Sequence, residues 1–314
     1  MATILGITFP IYAAIVIGYW LVRARCLSPS DMRLLGNFVL NIALPALLFK
    51  ALATRDFAQV FQQGYVLAYL GGGVATIIVV YLWFTLKRID PARRALAVMG
   101  SSCPNSGFVG FPIMLLAFPD IAGIVLALNI LVENIILIPI CLVLIDFAKG
   151  NTGVGLGARL GAILLGMLKR PMIIGLLAGL AVSLFGVPVP GPVLGLTSML
   201  ADSAAALSLI AIGGALVGLP LRGNKSLAAQ IAIGKLVVHP ALVALAAAIL
   251  SMMGLAGMPD DLHIAVILSA AMPMFGIYVV LAQEQGLEGA ASIAMLAATS
   301  GAFFTLNALM LWLI

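Results

Sequence analysis

The sequence predicts an all-α polytopic membrane protein of ten transmembrane helices, arranged as two inverted five-helix repeats with broken helices 4 and 9. Three observations carry this. Of 314 residues, 63% are hydrophobic and only 9% charged, whereas soluble domains carry roughly a quarter charged residues. Apolar runs of about 20 residues, the length that crosses a hydrocarbon core as a helix, recur along the whole chain. Basic residues cluster in alternate connections between those runs.

In order, the runs lie at 3–22, 33–52, 64–86, 93–117, 121–146, 170–187, 194–219, 226–252, 262–284 and 288–313. The first lacks a basic region before it and is followed by Arg23 and Arg25. That is a stop-transfer flank, not the layout of a cleaved signal peptide. The longest polar and Gly-rich connection runs from Asp146 to Arg170. It divides the chain into a first repeat (1–148), a cytoplasmic connecting loop (149–169) and a second, inverted repeat (170–314), together one unit.

Odd-numbered connections hold Arg23, Arg25 and Arg33; Lys87, Arg88, Arg93 and Arg94; Lys149, Arg159, Lys169 and Arg170; and Arg222 with Lys225. Even-numbered connections hold only Lys50 and Arg55. Lys and Arg are retained on the cytoplasmic side, so both termini are expected on the periplasmic side of a bacterial inner membrane. An odd number of helices per half forces the halves into opposite orientations. Echoes agree: Pro10 with Gly18 repeats as Pro171 with Gly179, and aligning Pro104 with Pro273 also aligns Gly107 with Gly276.

The fourth run reads VMGSSCPNSGFVGFP over 98–112 and the ninth VILSAAMPMFGIYVV over 266–280. A proline inside a helix removes a backbone donor and clashes with the carbonyl four residues earlier. Glycine adds freedom to unwind. In lipid, such breaks persist only where protein or a wet cavity satisfies the freed groups. Breaks at matching positions of inverted halves point to a central binding site for a transported solute, and positive half-helix N-termini suit an anion.

The first run with its basic exit (FPIYAAIVIGYWLVRARCLSPSD), NIALPALLFKAL at 41–52 and CPNSGFVGFP at 103–112 resemble the auxin efflux carrier family, which includes bacterial malonate and malate permeases. The resemblance spans nearly the whole chain. It implies ten helices in two inverted repeats, helices 4 and 9 crossing at their breaks, and a mobile transport domain moving elevator-like against a scaffold. It implies small carboxylate substrates, dicarboxylates among them. On matching positions Pro104 and Asn105 form the first crossover, and Pro273, Met274, Phe275 and Gly276 the second. Family crossovers often place a polar residue after the second proline; this chain has Met274.

Asn105 is followed by Ser106 and Gly107, and its amide can donate to a carboxylate; the alternative is an internal cap on the half-helix. Ser101 and Ser102, one turn earlier, offer hydroxyls or simply pack. Asn41 shares a face with Pro45, and either repairs the proline's break or lines the site. Glu133 is the one carboxylate deep within a run, with Asn129 four residues earlier. Charge at such depth costs a few kcal/mol and is normally paired, protonated or functional, so Glu133 is a candidate for ion coupling or for a structural pair.

Asp202 lies near the outer surface, in an interfacial or capping place before a cation site. Lys235 lies roughly 14 Å from the cytoplasmic end; it either snorkels to the interface, pairs with Glu133 or Asp202, or faces the substrate. His239, on the same face, reads first as structural and second as a titrating group.

Other classes fall away. The net charge of +5 is dispersed in short loops, so no nucleic acid is implied. Cys26, Cys103 and Cys141 show no paired spacing, no metal cluster or P-loop is present, and no enzyme activity or cofactor is expected. The partners expected are a small organic anion, the lipid bilayer and a second copy, since such carriers commonly form homodimers. Energy would come from H+, Na+ or the membrane potential. A cation–proton antiporter or sodium-coupled symporter of related fold, and a non-transporting scaffold or sensor, are the alternatives.

Overall fold

Proline punctuates the helices of the computed structural model, which describes residues 2–56, 60–150, 156–255 and 257–313. Pro29, Pro91 and Pro171 each occupy a first helical position, where the missing N–H is no loss and the fixed φ suits a helix. The elements are α1 (Ala2–Arg23), α2 (Pro29–Ala53), α3 (Gln63–Leu86), α4 (Pro91–Ser102), α5 (Ser106–Ala117), α6 (Ala122–Ala148), α7 (Leu156–Leu168), α8 (Pro171–Phe185), α9 (Gly191–Ala215), α10 (Lys225–Met252), α11 (Asp260–Ala270), α12 (Ile277–Gln283) and α13 (Glu288–Leu313). No strand occurs among the described residues.

By length and composition, seven of these helices are fit to cross a membrane, or eight if α7 and α8 form one bent span. Their outer faces agree: Trp20, Trp83, Phe304 and Trp312 are each at least half exposed, as fits helices surrounded by lipid.

The sequence differs from the structure in one connection. Residues 149–169, expected as a loop, contain the 13-residue helix α7; residues 151–155 lie outside the described set. Leu and Ala, strong helix formers, outweigh its three glycines, and nothing breaks the run before Pro171.

Four helices contain a single widened π turn: Val39–Ala43, Ser106–Gly110, Glu133–Leu137 and Gly234–Val238. Each ends two residues before a proline, at Pro45, Pro112, Pro139 and Pro240. An α turn would press the proline ring against the carbonyl four residues back. One extra residue relieves that clash, and the N–H before the proline donates to the carbonyl five residues back: Leu44 to Val39, Ile138 to Glu133, His239 to Gly234. Such π bulges recur at functional sites, and here they carry Asn41, Glu133, Asn134 and Lys235.

The chain forms two compact units, one of Met1–Gln62, Ser106–Ile130 and Met167–Gly218, the other of Gln63–Asn105, Leu131–Gly166 and Leu219–Ile314. In the first, α1 packs along α9 and α2 along α8. Glycines set the approach: Gly213 lies against the Ile15 backbone, Gly175 against Pro45 and Gly179 against Phe49. This small-residue contact is how helices associate where lipid removes the hydrophobic drive. In the second unit α3 packs along α10, with Gly72 against Val243, while α4 meets α10 where Gly234 faces Ser101.

Replacing Gly213 with leucine should therefore force α1 and α9 apart, at a cost of about 1–3 kcal/mol or more. A lowered melting temperature of the purified protein in detergent would show it. Gly6→Ala, where a Cβ meets nothing within 4 Å, should leave melting unchanged.

Candidate functional site

The site is built in the second unit from two interrupted helices. Helix α4 stops at Ser102 because Cys103, the residue before Pro104, is driven to φ −106°, ψ 101°, the extended conformation that a following proline imposes. Helix α11 stops at Ala270, and the chain stays non-helical until Ile277. The two unwound stretches meet antiparallel, with Pro104 opposite Met274. The Asn105 N–H donates to the Pro273 carbonyl at 2.8 Å. Pro104, Asn105, Pro273 and Met274 are buried, Phe275 is half-buried, and Gly276 is exposed.

The hydroxyls one turn earlier both face backbone carbonyls. Ser102 Oγ donates to the Val98 carbonyl at 2.8 Å, and Ser101 Oγ reaches the Ile231 carbonyl at 3.4 Å. Ser106, buried, opens α5 in the other unit, where a Cβ on Gly107 would lie 3.0 Å from Leu44 Cδ1. Asn41 is exposed, and its amide donates to the Asn37 carbonyl at 2.8 Å.

Beside the crossing, the second unit buries a polar cluster. Lys235 is wholly buried, so it does not snorkel. Its Nζ donates to the Ala270 carbonyl at 2.6 Å and lies 2.7 Å from His239 Nδ1. Tyr69 Oη donates to Glu133 Oε1 at 2.7 Å, and its ring lies 6.2 Å from that of His239. Tyr65 Oη and Ser269 Oγ are 3.1 Å apart. Asn129, also buried, lies on α6 one turn before Glu133, on the part of that helix belonging to the first unit.

Within the first unit Asp202 pairs with Lys50 at 3.7 Å, with side chains 76% and 37% exposed, an exposed pair worth little.

Three participants escaped the sequence reading: Tyr65, Tyr69 and Ser269. The signal was present, because a tyrosine inside an apolar run must find a partner for its hydroxyl when buried, and Tyr65 and Tyr69 share a helical face. The thiols of Cys103 and Cys141, which sequence spacing left isolated, lie 3.8 Å apart as free cysteines. Among the described residues no group of three His, Cys, Asp or Glu could hold a metal.

The Asn105–Pro273 bond gives a clean test. Asn105→Pro removes the backbone donor and should lower the melting temperature, by about 1–3 kcal/mol of lost stability for a buried carbonyl left unpaired. Asn105→Ala keeps that donor, so the melting difference between the two variants reads the backbone bond. Tyr69→Phe strips Glu133 of a hydrogen bond and should cost about 1.5–3 kcal/mol, read in the same melts.

Comparison with known proteins concerns the chain as a whole. Residues 3–153 match the family model described as "Membrane transport protein". A Rhizobium meliloti (strain 1021) protein named "Putative malonate transporter" is 26% identical over 293 residues, covering 91% of this chain and 88% of that one. A Methanothermobacter thermautotrophicus protein named "Uncharacterized transporter" is 25% identical over 281 residues, 87% of this chain and 86% of that one. The Escherichia coli (strain K12) protein named "Uncharacterized transporter YfdV" is 26% identical over 195 residues, 59% of this chain and 60% of that one. The chain is thus similar in its N-terminal part to that family model, and over most of its length to proteins named as transporters.

Proposed function

We propose that this membrane transporter is a secondary carrier of a small organic anion, a malonate- or malate-like dicarboxylate or another carboxylate, moved across the bacterial inner membrane by elevator-like alternating access. The observation that carries the reading is the antiparallel meeting of the two breaks, Pro104 against Met274. Two helices interrupted at one point cost stability and serve packing poorly, yet they are what a midplane binding site requires. In this reading α4 with α5, and α11 with α12, are each one broken span. With α1, α2, α3, α6, α8, α9, α10 and α13 they make ten helices in two inverted repeats, α7 lies in the connection, and both termini face the periplasm.

Asn105 supplies the polar contact. Its backbone N–H is committed to Pro273, so recognition of a carboxylate falls to its side-chain amide. The residues after Pro273 are apolar and act as a wall that excludes water. The name of the Rhizobium meliloti relative supports a dicarboxylate among carboxylates.

The second reading, a cation-coupled carrier or antiporter, rests on the buried Glu133 carboxylate held by Tyr69. Glu133→Gln should abolish coupling if Glu133 carries the ion. It should only shift the pH dependence of uptake if anion binding rests on Asn105.

Labelled malonate uptake into proteoliposomes, with pH gradient, Na+ gradient and membrane potential imposed separately, decides the substrate class. The wild type should accumulate the anion, and Asn105→Ala should lose about tenfold or more, the equivalent of one hydrogen bond to a charged group. Movement of amines or Na+ with no organic acid would end the anion reading.

A further inference from the structure

Helix α11 ends at Ala270 inside the protein, where no water can reach its last carbonyls. A helix C-terminus carries roughly half a negative charge and leaves its final carbonyls without intrahelical partners. Backbone N–H groups take three of them: Ala271 bonds Ile267 and Leu268, and Met272 bonds Ser269. The fourth, Ala270, accepts from the Lys235 ammonium at 2.6 Å. Carbonyls exposed at such a half-helix end are the groups that bind Na+ in other broken-helix architectures. Here a side chain stands in that place.

The surroundings fit a tethered cation. Lys235 is 0% exposed and sits in the π turn of α10, which carries the side chain toward α11. His239, one turn on, offers Nδ1 at 2.7 Å. An ammonium has donors only, so a charged Lys235 requires the tautomer in which Nδ1 accepts and Nε2 carries the proton. That atom is itself buried and without a partner among the described residues. From α6 the Glu133 carboxylate, and from α4 the Cys103 thiol, lie within electrostatic range of the ammonium. From α3 Tyr69 bridges the set, with its hydroxyl on Glu133 and its ring facing His239.

We propose that the Lys235 ammonium is a built-in counter-cation for the broken end of α11, occupying the position of a monovalent metal ion. It follows that the wild type takes up no Na+ at this position and gains nothing from Na+ there, and that removing the side chain opens a Na+ site formed by the Ala270 carbonyl with His239. Lys235 is thus a positioning residue, acting on the substrate through the helix end it holds. The uptake arm rests on the transport reading above; the melting arm does not.

The test has two arms. In proteoliposomes, wild-type malonate uptake should be unchanged when Na+ is replaced by choline at constant pH, potential and ionic strength; a requirement for Na+ overturns the proposal. In detergent, Lys235→Ala should melt several degrees below the wild type. NaCl, but not choline chloride, should raise it again, while the wild type responds to neither salt. A variant indifferent to Na+, or a wild type stabilised by it, overturns the proposal. Lys235→Met keeps volume without charge, and wild-type melting and uptake in that variant would equally overturn it. Should Lys235→Ala not fold, the Na+ response of the wild type and the behaviour of Lys235→Met still decide. If the wild type moves no organic anion, the transport reading falls while the melting comparison still judges Lys235.

Discussion

A single backbone hydrogen bond, from the Asn105 N–H to the Pro273 carbonyl, states the constraint under which the rest of this molecule is organised. At membrane depth a peptide group released from its helix has no water to turn to. Each break must therefore be satisfied by another element at the same level, and the partner available is the other break. One interruption alone would leave its carbonyls orphaned; paired, each supplies part of what the other lacks. The prolines at both centres tilt the balance toward surplus acceptors, because neither Pro104 nor Pro273 has an N–H to give. Beside that surplus the Lys235 side chain donates to the Ala270 carbonyl.

Proline acts in a second way in the intact helices. Pro45, Pro139 and Pro240 bend no helix to a stop; each is preceded by one widened turn that absorbs its clash. The residues placed in those turns include the deepest charges of the chain, Glu133 and Lys235. Packing then supplies what the charges need, with Tyr69 on Glu133 and the end of α11 on Lys235. Small residues do the complementary work between helices, as at Gly175 and Gly179, where only a missing side chain lets α8 approach α2.

Much of the helix order was legible, because hydropathy, proline and loop charge are local signals. The breaks at Pro104 and Pro273 followed from proline with glycine close after it. Helix α7 did not, since a Gly-rich stretch reads as a connection until its leucines are weighed. The partners of Lys235 could not be read at all: its carbonyl lies 35 residues away on another helix, and no pattern of side chains marks a backbone acceptor. Tyr69 and Glu133, 64 residues apart, were each conspicuous as a polar group in an apolar run. That they answer one another is a fact of packing. Asp202 shows the reverse case, where an acidic residue within a run turned out to be an exposed surface group beside Lys50.

The widened turns also say something about descent. A π turn is an α turn with one residue added, and each residue advances a helix by roughly 100°. Adding one residue at Glu133–Leu137 or Gly234–Val238 therefore rotates every later side chain of that helix to a new bearing while its axis hardly moves. A lineage can in this way re-aim a whole helix face by a single codon insertion, without finding several compensating substitutions at once. The nearby proline then guards the change, because closing the turn again would restore the clash.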